Sequence, residues 1–456
     1  MSTSIVKVED KKVAKGFFKI FGGVADVVRL WIGSITPDLS GSKDTDILIS
    51  KMNECLHPKG GEVSARKNTI SLGKLYFSLS ETGKIKFLQI LVEKFNTNQK
   101  EIYSKIKEYQ QNHNTELNHK FEQALTKTLE SPRSKILKQF ISLPDGLKVI
   151  VDMRSDILKL QSKYKELNPL EQELKSILST WVDVDLLDLQ QITWDSPASL
   201  LEKLIKYEAV HKISSWNDLK NRLDSDRLCF AFFHYKIPNE PLIFVEVALT
   251  NGITSSIQHL LDETIPSNDP DSINTAVFYS ISNTQIGLSG INLGNFLIKR
   301  VVEKLTTEFK NIKTYATLSP IPGFIKWLIE NLANVSDKLN IKPSFCTEII
   351  ESIKQLQIHN EYLKQCLLKL CAYYLLKVNN NNGYAYDPVA HFHLSNGASI
   401  KRLNWLADIS EKGIKQSAGI MVNYLYELPK IDSNHENYMI NKIVARSKEV
   451  SALLKR

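Results

Sequence analysis

The chain has 456 residues, of which 43% are hydrophobic and 24% charged, with a formal net charge of +8. That length exceeds one ordinary compact core and makes two domains the natural expectation, and the composition excludes a disordered or fibrous chain. The small positive excess suits a polyanionic ligand. However, Lys and Glu are interspersed, as in 81–94 and 101–107, and form no basic stripe, so no nucleic-acid partner is expected.

The five cysteines, Cys55, Cys229, Cys346, Cys366 and Cys371, show no CxxC and no metal-ligand spacing. A sparse, odd set fits free thiols in a reducing compartment, and Cys366 and Cys371 sit in an apolar stretch that suggests buried packing. No segment approaches the roughly 20 apolar residues of a membrane span, so no stable membrane insertion is expected. Residues 11–33 mix Lys12, Lys15, Lys19 and Arg29 with Phe17, Phe18, Phe21 and Trp31. Such a stretch reads either as a targeting or membrane-surface helix or as a helix docked on its own domain. The C-terminal Leu453-Leu454-Lys455-Arg456 does not match the peroxisomal tripeptide, and a cytoplasmic location is expected.

Residues 1–190 read as helical. Ile85, Leu88, Leu91, Val92 and Phe95 recur at helical spacing. Polar helices follow over 99–111 and 117–129, with breaks at Pro132 and Pro144-Asp-Gly146. Further helices are predicted over 147–167 and from Pro169 through Trp181, and helices joined this closely make a bundle. After Trp194 the pattern changes. A helix over 197–210 leads to strand-length apolar runs at 228–234 and 242–249, joined by a turn at Pro238-Asn-Glu-Pro241. Another strand at 275–281 is followed by a Gly-bearing loop and a helix over 293–309. A short strand at 315–318 and a helix over 322–332 come next. Residues 345–377 return to helix, 379–383 form a polar loop, 399–406 are strand-like, and 413–425 carry no clear pattern. The fold class is α+β: an N-terminal helical bundle (1–190) followed by a mixed α/β domain (191–456).

Three segments could carry chemistry. Gln285-Ile-Gly-Leu-Ser-Gly-Ile-Asn-Leu-Gly294 joins a strand to a helix. Its glycines and helix N-terminus could cradle a phosphate, or it could be a plain strand–helix turn. It is neither the dinucleotide fingerprint nor a P-loop. Ser319 in Leu318-Ser-Pro-Ile-Pro-Gly-Phe324 could face a ligand from a strand end, but an N-cap is the commoner use of Ser before Pro. His393 in His391-Phe-His393-Leu-Ser-Asn-Gly397 is read as lying at a strand or loop end, suited to acid–base work or to a structural hydrogen bond. The two histidines could ligate a metal from one strand face, but no third ligand has recognisable spacing, so no metal is expected. His234 and Glu246 lie on apolar strands and read as structural. Tyr424 and Tyr426 could be site hydroxyls or core aromatics.

Over most of its length the chain resembles the malonyl-CoA decarboxylase family. The resemblance rests on Gly146–Arg154, Ile192–His211, Glu240–Leu249, Phe278–Ser282, Gly294–Lys299, Leu318–Phe324, Phe392–Ala398, Asn404–Asp408 and Gly413–Ser417. It implies a helical domain used in homo-oligomer contacts, with tetramers common, and a catalytic domain related to the N-acetyltransferase fold. It implies conversion of malonyl-CoA to acetyl-CoA and carbon dioxide without metal or organic cofactor. By motif, Ser289, Gly290, Ile291, Asn292, Leu293, Gly294 and Asn295 would contact malonyl-CoA, with Ser319 as the catalytic serine and His393 as the catalytic histidine. Tyr424 or Tyr426 would also reach the site. Some members have a carboxylate where Asn292 stands, so an acid role at that position does not carry over. A CoA-dependent N-acyltransferase on the same fold, or a non-catalytic sensor of CoA esters, are the alternatives, and fold alone does not separate them.

Overall fold

The computed structural model describes residues 33–112, 118–291, 293–339 and 361–455, and forms two compact units. The first contains the described residues up to Leu187 together with His234–Pro238 and Gln285–Ile291. The second contains Asp188–Phe233, Asn239–Thr284 and the described residues beyond 292. The amphipathic stretch at 11–33, save its last residue, lies outside the described residues, as do Cys346 and the first part of the helix expected over 345–377. Among the described residues, no helix is long and apolar enough to cross a membrane.

The first unit is built of helices α1 (Asp44–Leu56), α2 (Gly61–Ser78), α3 (Glu81–Lys94), α4 (Gln99–Asn112), α5 (Asn118–Leu129), α6 (Pro132–Ile141), α7 (Gly146–Leu160) and α8 (Asn168–Trp181). Their starts follow local chemistry. Ser80 caps α3 through Gly83 N, and Ser131 caps α6 through Ser134 N, with Pro132 in the first turn. Leu88, Leu91 and Phe95 are buried and Ile85 and Val92 half-buried, on the face that the helical spacing predicted; Ile150, Ile157, Leu170, Leu174 and Leu178 are buried too.

The second unit carries a seven-stranded sheet in the order β1-β2-β3-β4-β5-β7-β6. The strands are β1 (Leu187–Ile192), β2 (Arg227–His234), β3 (Ile237–Thr250), β4 (Thr275–Asn283), β5 (Thr314–Thr317), β6 (Ser399–Asn404) and β7 (Met421–Tyr426). Its helices are α9 (Ala198–Tyr207), α10 (Trp216–Asn221), α11 (Ile257–Leu261), α12 (Leu293–Glu308), α13 (Phe324–Leu339), α14 (Glu361–Lys377), α15 (Pro388–Ser395), α16 (Glu411–Ser417), α17 (Ile431–Asn441) and α18 (Lys448–Leu453). β3 pairs antiparallel with β4, and β7 pairs antiparallel with both β5 and β6. β4 and β5 are parallel, which requires the crossover that α12 supplies. The mixed α/β expectation for this half therefore holds.

Three local expectations do not. Leu187–Ile192 is an edge strand, where helix was expected up to 190; its half-exposed, polar pattern carries no strand alternation to read. The β2–β3 turn is Tyr235-Lys236, and Pro238 and Pro241 lie inside β3. Pro238 and its neighbour Asn239 are exposed, in keeping with the confinement of strand prolines to places where no donor is needed. His391 and His393 lie on helix α15, not on a strand. Asp387 caps that helix by accepting from Val389 N and Ala390 N at 3.0 Å each, and Pro388 opens it. Residues 413–425, which carried no clear pattern, divide into the end of α16 and most of β7.

Glu246 is indeed structural. On the fully buried β3, its Oε2 accepts from Arg222 Nη1 at 3.0 Å, and Arg222 Nε also donates to Asp218 Oδ1 at 2.7 Å. Burial foremost, and then nearby Glu208, push the Glu246 carboxyl up to about 8, while Arg222 pulls the other way. Glu208 is held by the amides of Val210 and His211 and by the hydroxyls of Ser280 and Ser282. Removing one partner of a buried ion pair leaves an uncompensated charge. Arg222→Met is therefore expected to lower unfolding stability by about 3–5 kcal/mol, read from urea denaturation. A midpoint equal to the parent's would show that the guanidinium is not holding these carboxylates.

Candidate active site

Strand geometry places Thr317 and Ser319, and likewise Tyr424 and Tyr426, on one face, because side chains two apart point the same way. β5 and β7 pair at Tyr315–Tyr426 and Ala316–Leu425, and pairing resumes at Ser319–Val422 with bonds of 2.8 and 2.9 Å. Between these points side chains take over from the ladder. Tyr424 N donates to Thr317 Oγ1 at 3.1 Å, and Asn423 Nδ2 donates to Thr317 O at 2.7 Å. Ser319 is thus a strand-end residue and not a helix cap: α13 begins five residues later, at Phe324.

Into this gap α15 brings His393 from its last turn. His393 Nε2 lies 3.0 Å from Ser319 Oγ, and Nδ1 lies 2.8 Å from the Tyr426 hydroxyl. The Tyr424 ring stacks on the imidazole with centroids 4.5 Å apart. Ser319 Oγ donates to Thr317 Oγ1 at 2.9 Å. Followed in one direction, the bonds run from Tyr426 O–H to Nδ1, from Nε2–H to Ser319 Oγ, and from Ser319 O–H to Thr317. The network thus assigns the imidazole proton to Nε2. All five residues are buried. Burial alone lowers His393 to about 3, so the ring is neutral at physiological pH. Burial also raises the Tyr426 phenol, against a smaller opposing effect of the Asn396 side chain.

His391 faces elsewhere and bonds Tyr438 OH through Nδ1 at 2.9 Å, so the two histidines do not share one face as metal ligands would. Gly294, in the first turn of α12, comes so close to Phe392 that a Cβ would sit 2.6 Å from its ring. This contact fixes the residue next to His393 against the helix that follows the glycine-bearing turn. Leu293 is buried beside it. Asn292 and the side chain of Asn295 lie outside the described residues.

Ser289, Gly290 and Ile291 belong to the first unit. There the buried Arg154 of α7 donates from Nη1 to Gly287 O at 2.6 Å and from Nη2 to Ser289 O at 2.8 Å, and Glu171 of α8 balances its charge. Gly290 adopts φ +74°, and Lys175 Nζ of α8 lies 3.2 Å from where a Cβ on Gly290 would be. Sequence reasoning missed Thr317 and Arg154. No motif marks a threonine two residues before the serine. Arg154 gave one signal, as a lone cation on a helix face otherwise rich in apolar residues.

A family model described as the malonyl-CoA decarboxylase C-terminal domain matches residues 185–456, and one for the N-terminal domain matches 95–182. The chain is 40% identical to mitochondrial malonyl-CoA decarboxylase of Rattus norvegicus over 352 residues, 71% of each chain. It is 39% identical to the Anser anser anser protein of the same name, over 70% of this chain and 69% of that one. Crystal structures of malonyl-CoA decarboxylase from Rhodopseudomonas palustris (TM-score 0.82, 37% identity, 90% of this chain and 99% of that one) and Agrobacterium vitis (TM-score 0.83, 35% identity, 90% and 100%) are similar in fold.

The depressed His393 also has a consequence for stability. In the unfolded chain an imidazole titrates near 6.5, whereas in the fold it titrates at about 3. Between those values the unfolded state binds a proton that the folded state refuses. This contribution is complete above pH 6.5 and is lost, at about 1.4 kcal/mol per pH unit, as pH falls toward 3. His393→Asn is therefore expected to show a shallower loss of urea stability than the parent between pH 6.5 and 4.5. Equal slopes would place the imidazole in a solvated setting.

Proposed function

The chain belongs to the malonyl-CoA decarboxylase family, a family of carboxy-lyases, and from that premise we propose that it releases carbon dioxide from malonyl-CoA with Ser319 and His393 acting as a pair. The observation that carries the assignment is the 3.0 Å contact between Ser319 Oγ and Nε2 of a buried imidazole, in the two motifs that resemble the family's catalytic serine and histidine. Loss of carbon dioxide leaves electron density on the thioester enolate, which needs stabilisation and then a proton at carbon 2. With substrate bound, Ser319 O–H turns from Thr317 to the substrate, positions its carboxylate and hands over the proton; His393 Nε2–H restores it. Because the imidazole stays neutral, the proton moves along hydrogen bonds and not from a standing imidazolium. Ser289 to Asn295 hold the CoA portion, with Arg154 fixing the carbonyls of Gly287 and Ser289 from behind so that the turn keeps its shape. A water-poor setting around the pair favours loss of the carboxylate.

Acetyl-CoA formation from malonyl-CoA by the purified chain tests this directly. Ser319→Ala and His393→Ala are each expected to lower kcat by roughly 100- to 10,000-fold, with a much smaller change in KM. Full turnover in either variant would remove that residue from the reaction. The helical region 1–190 is assigned the oligomer contacts on the same resemblance. Light scattering is expected to give four chain masses, and a monomer would overturn that part of the reading.

A further inference from the structure

Lys175 is the one basic residue of α8, and it is exposed. Glu171 stands one helical turn before it, at the spacing that ordinarily joins a Glu to a Lys. Glu171 is instead taken by Arg154, whose Nε and Nη2 donate to Glu171 Oε1 at 3.1 and 2.8 Å. Among the described residues, no carboxylate pairs with Lys175 and no group accepts a hydrogen bond from it. Its Nζ nevertheless lies 3.2 Å from where a Cβ on Gly290 would be. It does not serve the carbonyls of that turn, because Arg154 already holds Gly287 O and Ser289 O. A second donor stands at the same residue. In a planar trans peptide the carbonyl and the N–H that follows it point opposite ways, so with Ser289 O on Arg154 the Gly290 N–H is directed away from that guanidinium. Leu288, Ser289 and Ile291 donate to Gln285 O, Ile286 O and Leu288 O, but among the described residues nothing accepts from Gly290 N. Ser289 and Gly290 are exposed. Arg154 thus orders the turn from its buried side, and the exposed side presents an unused amide next to an unused ammonium. All of these residues belong to the first unit.

We propose that Lys175 is a substrate-binding residue which, together with the Gly290 amide, seats a phosphate of CoA. This rests on the reading above in which Ser289 to Asn295 hold the CoA portion, and adds a side chain of the helical unit to it. A phosphate oxygen that accepts from the amide comes within reach of the ammonium, because lysine carries a point charge on a flexible four-carbon stem. Hydrogen bonds between an ionised donor and an ionised acceptor are about twice as strong as neutral ones. Glycine suits position 290 on two counts. Its φ of +74° lies in the left-handed region, and any side chain there would crowd the ammonium. The phosphates of CoA are unchanged by loss of carbon dioxide from the far end of the thioester. The contact is therefore the same in the ground state and in the transition state, and such binding acts on KM and leaves kcat alone.

The test uses the full chain with two substrates, malonyl-CoA and malonyl-N-acetylcysteamine, a thioester that has no phosphate. Lys175→Met keeps most of the side chain's length and removes its charge, and Lys175→Arg keeps the charge. Lys175→Met is expected to raise KM for malonyl-CoA roughly tenfold with kcat changed by less than about threefold. Lys175→Arg should recover most of that loss, and kcat/KM for the phosphate-free thioester should match the parent's in both. The penalty should shrink in concentrated salt, which screens an exposed charge. Malonyl-3′-dephospho-CoA tells which phosphate is seated: a Lys175→Met penalty that persists on it points to the pyrophosphate, one that vanishes points to the ribose phosphate, and either supports the seat. Gly290→Val reports on the underlying reading. A raised KM for malonyl-CoA in Gly290→Val beside a parental one in Lys175→Met would overturn the part given to Lys175 and leave the turn as the CoA seat. Parental KM in both variants would defeat the reading of the turn itself. A Lys175→Met loss of equal size on the phosphate-free thioester, or one that Lys175→Arg leaves uncorrected, would make the lysine structural and overturn the phosphate seat.

Discussion

Two strands that stayed fully paired could not hold this site. Main-chain bonding between β5 and β7 lapses for two residues on each side, and the side chains of Thr317 and Asn423 take over the amide and carbonyl so exposed. That substitution fixes the direction of everything attached to it. Thr317 Oγ1 receives an amide hydrogen and the serine hydroxyl, so the serine oxygen is turned to receive from the imidazole, and the imidazole from the phenol. A main-chain N–H can only donate. One such donor, at Tyr424, therefore begins an ordering that reaches through a hydroxyl, a ring and a second hydroxyl.

The second unit handles buried polarity in two opposite ways. Around Arg222, the guanidinium charge is matched by Asp218, with the Glu246 carboxyl accepting from it as well and the Glu208 side chain satisfied by amides and hydroxyls. Around His393, among the described residues, no ionised group is in contact, and desolvation keeps the ring uncharged. The first arrangement stabilises the frame and tolerates little change. The second makes proton movement along hydrogen bonds easier than charge separation, because a low-dielectric surrounding penalises any standing charge.

The helices of residues 81–181 and the strands at 228–234, 242–249 and 275–281 were legible because apolar spacing and turn residues are local signals. The family resemblance and the pair Ser319 and His393 were legible through motifs. What the sequence did not disclose was the local setting of each residue. Ser319 before Pro320 has the chemistry of a cap, yet its place is decided by a bridge to Val422, more than a hundred residues on. The alternation His391-Phe-His393 looked strand-like, but the Asp387 cap and Pro388 turn the segment into a helix and send the two rings to different partners, Tyr438 and Tyr426. Leu187–Ile192 was missed because an edge strand needs little apolar alternation.

Arg154 bonds the carbonyl of Ser289 across 135 positions of sequence. Although α1–α8 are the first described elements to be synthesised, the unit they form is not complete until Gln285–Ile291 has been made. At synthesis rates of about 5–20 residues per second, Arg154 waits roughly 7–27 s with only Glu171 to balance it and no carbonyls to receive its remaining hydrogens. During that interval the helical unit has an open seat. The glycine-bearing turn closes it only after three strands of the sheet have been translated and β4 has emerged, so completion of the first unit is coupled to progress of the second.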